Sequence, residues 1–86
     1  MTTITVSNNR VTVNGRQSYN GRIDAIAKTG SGKWEGTASG APFTISGGGA
    51  AGGYSNEWYL NWAYAYGDQW IKLTSAKECV RMINEA

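Results

Sequence analysis

Eighty-six residues suffice for one modest hydrophobic core and not for two, so a single domain over residues 1–86 is expected. Only 16% of residues are charged, while twelve glycines and many Ser, Thr and Asn favour turns and strand surfaces over helix. A net charge of +2 does not by itself mark a nucleic-acid binder; the single cysteine excludes an internal disulfide, and the lack of histidine removes the commonest general base and metal ligand.

"TITVS" (3–7) alternates with Ile4 and Val6 on one side, the period of a half-buried strand. After a turn at Asn8–Asn9, "RVTVNG" alternates again through Val11 and Val13, so residues 3–14 read as a β-hairpin. Residues 22–28 fit either a strand aligning Ile23, Ala25 and Ala27 or a helical turn pairing Ile23 with Ile26. Gly21 and Gly30 leave too little length for a helix, which favours the strand.

A turn at 30–32 leads into "KWEGTAS", with Trp34, Gly36 and Ala38 inward and Lys33, Glu35 and Thr37 outward. "GAP" (40–42) is read as the next turn, and "FTIS" puts Phe43 and Ile45 on the core side. "EWYLNWAYAYG" reads as the strongest strand, with Trp58, Leu60, Trp62, Tyr64 and Tyr66 on one face. "GDQ" (67–69) turns the chain and "WIKL" closes the sheet. In "TSAKECVRMINEA", Ser75 and Glu78 have capping-box spacing, and Ala76, Cys79, Val80 and Ile83 form one apolar stripe. Cys79 is then a small core residue. The predicted fold class is α+β: an antiparallel sheet of five or six strands in a meander, with one C-terminal helix packed on one face.

Without histidine, Ser-His and Cys-His nucleophile pairs and the usual zinc sites cannot be assembled. Glu35, Glu57 and Asp68 are the carboxylates a glycosidase-type pair would need, but no spacing brings two of them together. Gly47, Gly49 and Gly52 match G-x-G-x-x-G by letter, yet a strand follows where the dinucleotide motif requires a helix. No catalytic residue, metal or cofactor is therefore expected.

Two surfaces are candidates for partner binding. One is the glycine-rich connection, where Gly48, Gly49, Gly52 and Gly53 bare the backbone beside Tyr54 and Asn56. The other is a basic edge bearing Arg10, Arg16 and Arg22; residues 1–33 carry these with Lys28 and Lys33 against Asp24 alone. The start "MTTITVSNNR" lacks a signal-peptide core, and no run approaches the ~20 apolar residues that span a bilayer. The cytoplasm is the expected compartment, with no membrane partner.

In general character, from the "MTTITV" strand at the start to the sheet closed by "SAKECVRMI", the chain resembles the anti-CRISPR proteins that phages and mobile elements encode. That resemblance implies an inhibitor acting in the host cytoplasm, which binds a nuclease or surveillance complex and blocks substrate access. The group shares no common site residues, so none is carried over. The expected function is a non-enzymatic inhibitor or adaptor whose partner is a protein or ribonucleoprotein. The alternative is a small nucleic-acid-binding module using the basic N-terminal residues and the aromatics, and a homodimer remains open.

Overall fold

The computed structural model describes residues 3–7, 10–19, 22–47 and 57–85. Strands β1 (Ile4–Ser7) and β2 (Arg10–Val13) pair antiparallel with Ile4 opposite Val13, as the alternation predicts. Ile4, Val11 and Val13 are buried, while the turn at 8–9 lies outside the described residues. A third strand, β3 (Arg16–Tyr19), extends the expected hairpin into a three-stranded sheet. Its cause is the Asn14–Gly15 pair, whose φ values of 52° and 81° form the left-handed two-residue turn that joins antiparallel strands. Asn14 is clamped from both sides: its N–H donates to Thr3 O (2.9 Å), and its Oδ1 accepts from Thr3 N (3.0 Å).

The second sheet is a five-stranded antiparallel meander in chain order: β4 (Ile23–Gly30), β5 (Lys33–Ala38), β6 (Ala41–Gly47), β7 (Trp58–Trp62) and β8 (Ile71–Leu73). Residues 22–28 are strand, but the expected alignment of Ile23, Ala25 and Ala27 fails. The ladder slips at Asp24, so Ile23 faces Ala38 while Ala25 faces Thr37. The slip puts Ile23 and Ile26 on the core side and leaves Ala25 and Ala27 exposed. The next turn lies at Ser39–Gly40, with φ of 51° and 76°, rather than at 40–42. Pro42 already belongs to β6 opposite Thr37, just beyond the point where β7 begins to pair, so its missing N–H breaks no bond to β7.

The aromatic strand is also shorter than the alternation suggests. It stops at Trp62, and Ala63–Tyr66 form a single helical turn, α1. Alanines at 63 and 65 favour helix, and the turn folds Tyr64 and Tyr66 around the Trp62 indole, with ring centroids at 4.9 and 6.5 Å. Gly67 (φ 62°) then lets the chain reverse into β8.

One face of the meander carries the core: Trp34, Ala38, Phe43, Ile45, Trp58, Leu60 and Trp62 are all buried. The Trp34 and Trp58 rings meet at 6.1 Å, and the Trp62 indole N–H donates to Ala38 O at 3.0 Å. Helix α2 (Ala76–Glu85) covers this face with the predicted stripe of Ala76, Cys79, Val80 and Ile83. Ser75 Oγ accepts from Glu78 N at 3.1 Å, as the cap requires. The three-stranded sheet lies against β4 through β1 and contributes Ile4, Val11 and Val13 to the same core.

Candidate protein-binding face

The candidate residues of the glycine-rich connection, Gly48, Gly49, Gly52, Gly53, Tyr54 and Asn56, lie outside the described residues. What the structure shows is how the connection leaves β6. A Cβ on Gly47 would meet Glu57 O and stand 2.7 Å from Trp58 Cα, so the strands close up where only glycine fits.

The three arginines do not form one edge. Arg10 pairs with Ser7 and Tyr19 at one end of the small sheet, and Arg16 pairs with Val13 at the other. Arg22 precedes β4 and is held by the fold itself. Its backbone N–H donates to Asn84 Oδ1 (3.2 Å) and its Nη1 donates to Ser39 Oγ (3.1 Å). Its guanidinium sits 5.5 Å from the Tyr64 ring centroid. This arginine joins β4, the β5–β6 turn, α1 and the end of α2. The grouping from sequence fails because the Asn14–Gly15 reversal sends Arg16 to the far end of the hairpin from Arg10.

The carboxylates are equally dispersed. Glu35 pairs with Lys33 (3.9 Å), Glu57 pairs with Lys72 (3.3 Å), and Asp68 stands exposed in the turn after α1. Among the described residues no group of three or more Cys, Asp or Glu side chains could hold a metal ion. Burial pushes the Cys79 thiol up from 9.0 to about 12, so it stays protonated and unreactive near neutral pH. Among the described residues no helix is long and apolar enough to cross a membrane.

What the meander does bring together is its other face. The register sets Lys33, Ser46, Tyr59 and Lys72 in one row, and Ala27, Glu35, Thr44 and Asn61 in the next. Each of these is exposed or half-buried, so no described element covers them. Five strands make this face about 19 Å across. Its lysines and glutamates are paired as described above, leaving it close to neutral. Serine, threonine, asparagine and tyrosine dominate the remainder, a mixture suited to adaptable protein contacts.

Trp70 directly precedes β8 and is 51% exposed. Asn61 Nδ2 donates to Gln69 O (2.9 Å) and to Gly67 O (3.4 Å), tying the chain just before Trp70 to the face. Reading "WIKL" only as a closing strand misses this residue. The signal was its alternation: Ile71 and Leu73 fall on the core side and Lys72 between them on the wet side, and Trp70, just before the strand, is half exposed. Tyr64, expected on one face with Trp58, Leu60 and Trp62, is the other large exposed apolar residue among those described, at 56%. Comparison of the chain with family models, with curated proteins and with solved structures finds no match.

Proposed function

We propose that this chain is a non-enzymatic inhibitor or adaptor that acts in the cytoplasm by binding a larger protein or ribonucleoprotein partner through the outer face of the meander. The observation that carries the reading is Trp70, half exposed next to Gln69, which Asn61 ties to a polar and nearly neutral sheet face that no described element covers. Tryptophan is enriched among the few residues that dominate protein interfaces, and flanking polar contacts exclude water around it. A nucleic-acid interface would instead concentrate cations against phosphate. Here Lys33 and Lys72 have carboxylate partners, and Arg22 is built into the fold. The resemblance to anti-CRISPR proteins supports nuclease or surveillance complexes of the host as the first partners to test.

The test is retention of such purified complexes by the immobilised full chain and by its Trp70→Ala variant. An exposed tryptophan contributes little to folding, so the variant should melt within a few degrees of the parent. Retention should fall at least about tenfold, the loss expected for an interface hot spot. Undiminished retention by Trp70→Ala overturns the reading, as does tight oligonucleotide binding that falls steeply with salt.

A further inference from the structure

We infer that the partner engages this chain by adding an extended strand to β8, with an acidic residue opposite Lys72 between two apolar residues. The inference rests on the protein-partner reading above and specifies the partner's chemistry. Four strands form the edges of the two sheets, β1, β3, β4 and β8, and β1 lies against β4. Of these, β4 also slips register twice, which blunts an edge. The strand β3 ends the smaller sheet and stands apart from Trp70 in the topology.

In contrast, β8 is regular, ends the larger sheet and, among the described residues, pairs only with β7. The backbone N–H and C=O groups along its far side are a template for another strand. Ile71 and Leu73 point to the core side yet are only half-buried, so a neighbouring strand with apolar residues at matching positions would complete their cover. Between them Lys72 points to the outer face with its side chain 64% exposed. Glu57, 3.3 Å away and itself mostly covered, engages one side of the ammonium while the lysine side chain stays largely exposed, so a carboxylate from an added strand can share it. Trp70, just before Ile71, would flank one end of the added strand.

The same lysine argues against a second copy of this chain as the occupant. The antiparallel register that uses all three residues of β8 sets Lys72 opposite Lys72, a repulsive pair. A slip by one residue would turn the lysine towards the core side.

The experiment uses the isotopically labelled full chain and two end-blocked peptides, threonine–valine–glutamate–valine–threonine and its counterpart with lysine at the centre. The glutamate peptide should shift the amide resonances of Ile71, Lys72 and Leu73 and slow hydrogen exchange at those whose N–H points away from β7. It should bind roughly two- to fivefold more tightly than the lysine peptide, the range expected of one exposed ion pair. Lys72→Glu should reverse the preference. Unchanged β8 amides at millimolar peptide, equal affinity for both peptides, or a dimer joined through β8 in sedimentation overturns the inference. If β8 stays unprotected while partner retention still depends on Trp70, strand addition fails and the binding face stands. If retention ignores Trp70, the binding-face reading itself fails.

Discussion

Replacing Gly36 by alanine tests the closeness of β4 and β5, on which the whole meander depends. A Cβ at this position would overlap Ala25 O and stand 2.9 Å from both Ala25 C and Ile26 Cα. Carbon atoms in ordinary contact sit about 3.5–4.0 Å apart, and the overlap with Ala25 O is tighter still, so β4 must retreat by about 1 Å or more. Backbone cannot swing aside as a flexible side chain can, which places the cost near the upper end of overpacking, about 3 kcal/mol. That is a large share of the roughly 4–13 kcal/mol available to a domain of this length. At about 4–8 °C per kcal/mol for a small domain, the melting temperature should fall by roughly 12–24 °C. Gly30→Ala is the matched control, because its new methyl would meet only Lys33 Cβ at 3.7 Å. Its effect should stay within about 0.5 kcal/mol of the parent. Gly40→Ala should fall between the two, since its Cβ meets nothing but φ is +76°, a strain of about 1–2 kcal/mol. Urea denaturation of the three variants measures the order. If Gly36→Ala and Gly30→Ala agree within about 1 kcal/mol, the close approach is wrong.

Two further predictions concern the buried core. Trp62→Phe removes the indole donor and leaves Ala38 O without that partner in a site where Trp62 is fully buried, so urea denaturation should show a loss of about 2–4 kcal/mol. A loss below about 0.5 kcal/mol would mean that the hydrogen bond and the ring packing do not stabilise the fold. The Cys79 thiol has its folded pKa raised from 9.0 to about 12 by burial, with the Glu78 charge adding to the shift. Its contribution is therefore fully present below the unfolded value and is lost as pH rises towards the folded one. Across that window the parent should lose up to about 1.4 kcal/mol per pH unit relative to Cys79→Ala, which lacks the titrating group. Parallel stability curves for the two proteins between these pH values would contradict that burial.

Strong periodicity was readable wherever large apolar residues alternate with polar ones. Trp34, Gly36 and Ala38 against Lys33, Glu35 and Thr37 fixed the faces of β5, and the capped stripe ending at Ile83 fixed α2. Where side chains are small, the pattern lost its information. Ala25 and Ala27 fit either face of β4 equally well, so nothing in them announced the slip at Asp24. The end of β7 was hidden for another reason. Trp62, Tyr64 and Tyr66 continue a two-residue alternation, but Trp62 and Tyr66 are also four apart, as a helical turn requires. The polar strand β3 lacked any apolar period, and only its Asn–Gly turn signalled it. The outer face was legible in pieces, since its residues are the outward halves of correctly read strands. Their assembly into rows needed the register, which brings Lys33 and Lys72 into one row though they lie far apart in sequence.

The two faces of the meander divide buried from exposed side chains along alternate residues of the same strands. On β8, Leu73 packs against the core while Lys72 stands in solvent beside it. On β7, Leu60 and Trp62 are fully buried, whereas Asn61 between them holds the turn that precedes Trp70. Burial of an aromatic side chain withdraws about 150–250 Å² from water, so Trp34, Trp58 and Trp62 stabilise the domain in a way that the half-exposed Trp70 does not. Substitutions at Trp70 and Lys72 can therefore alter binding with little change in folding, while those at Trp62 or Gly36 should act on both at once. That contrast makes a loss of partner retention attributable to the face itself, provided the variant melts with the parent.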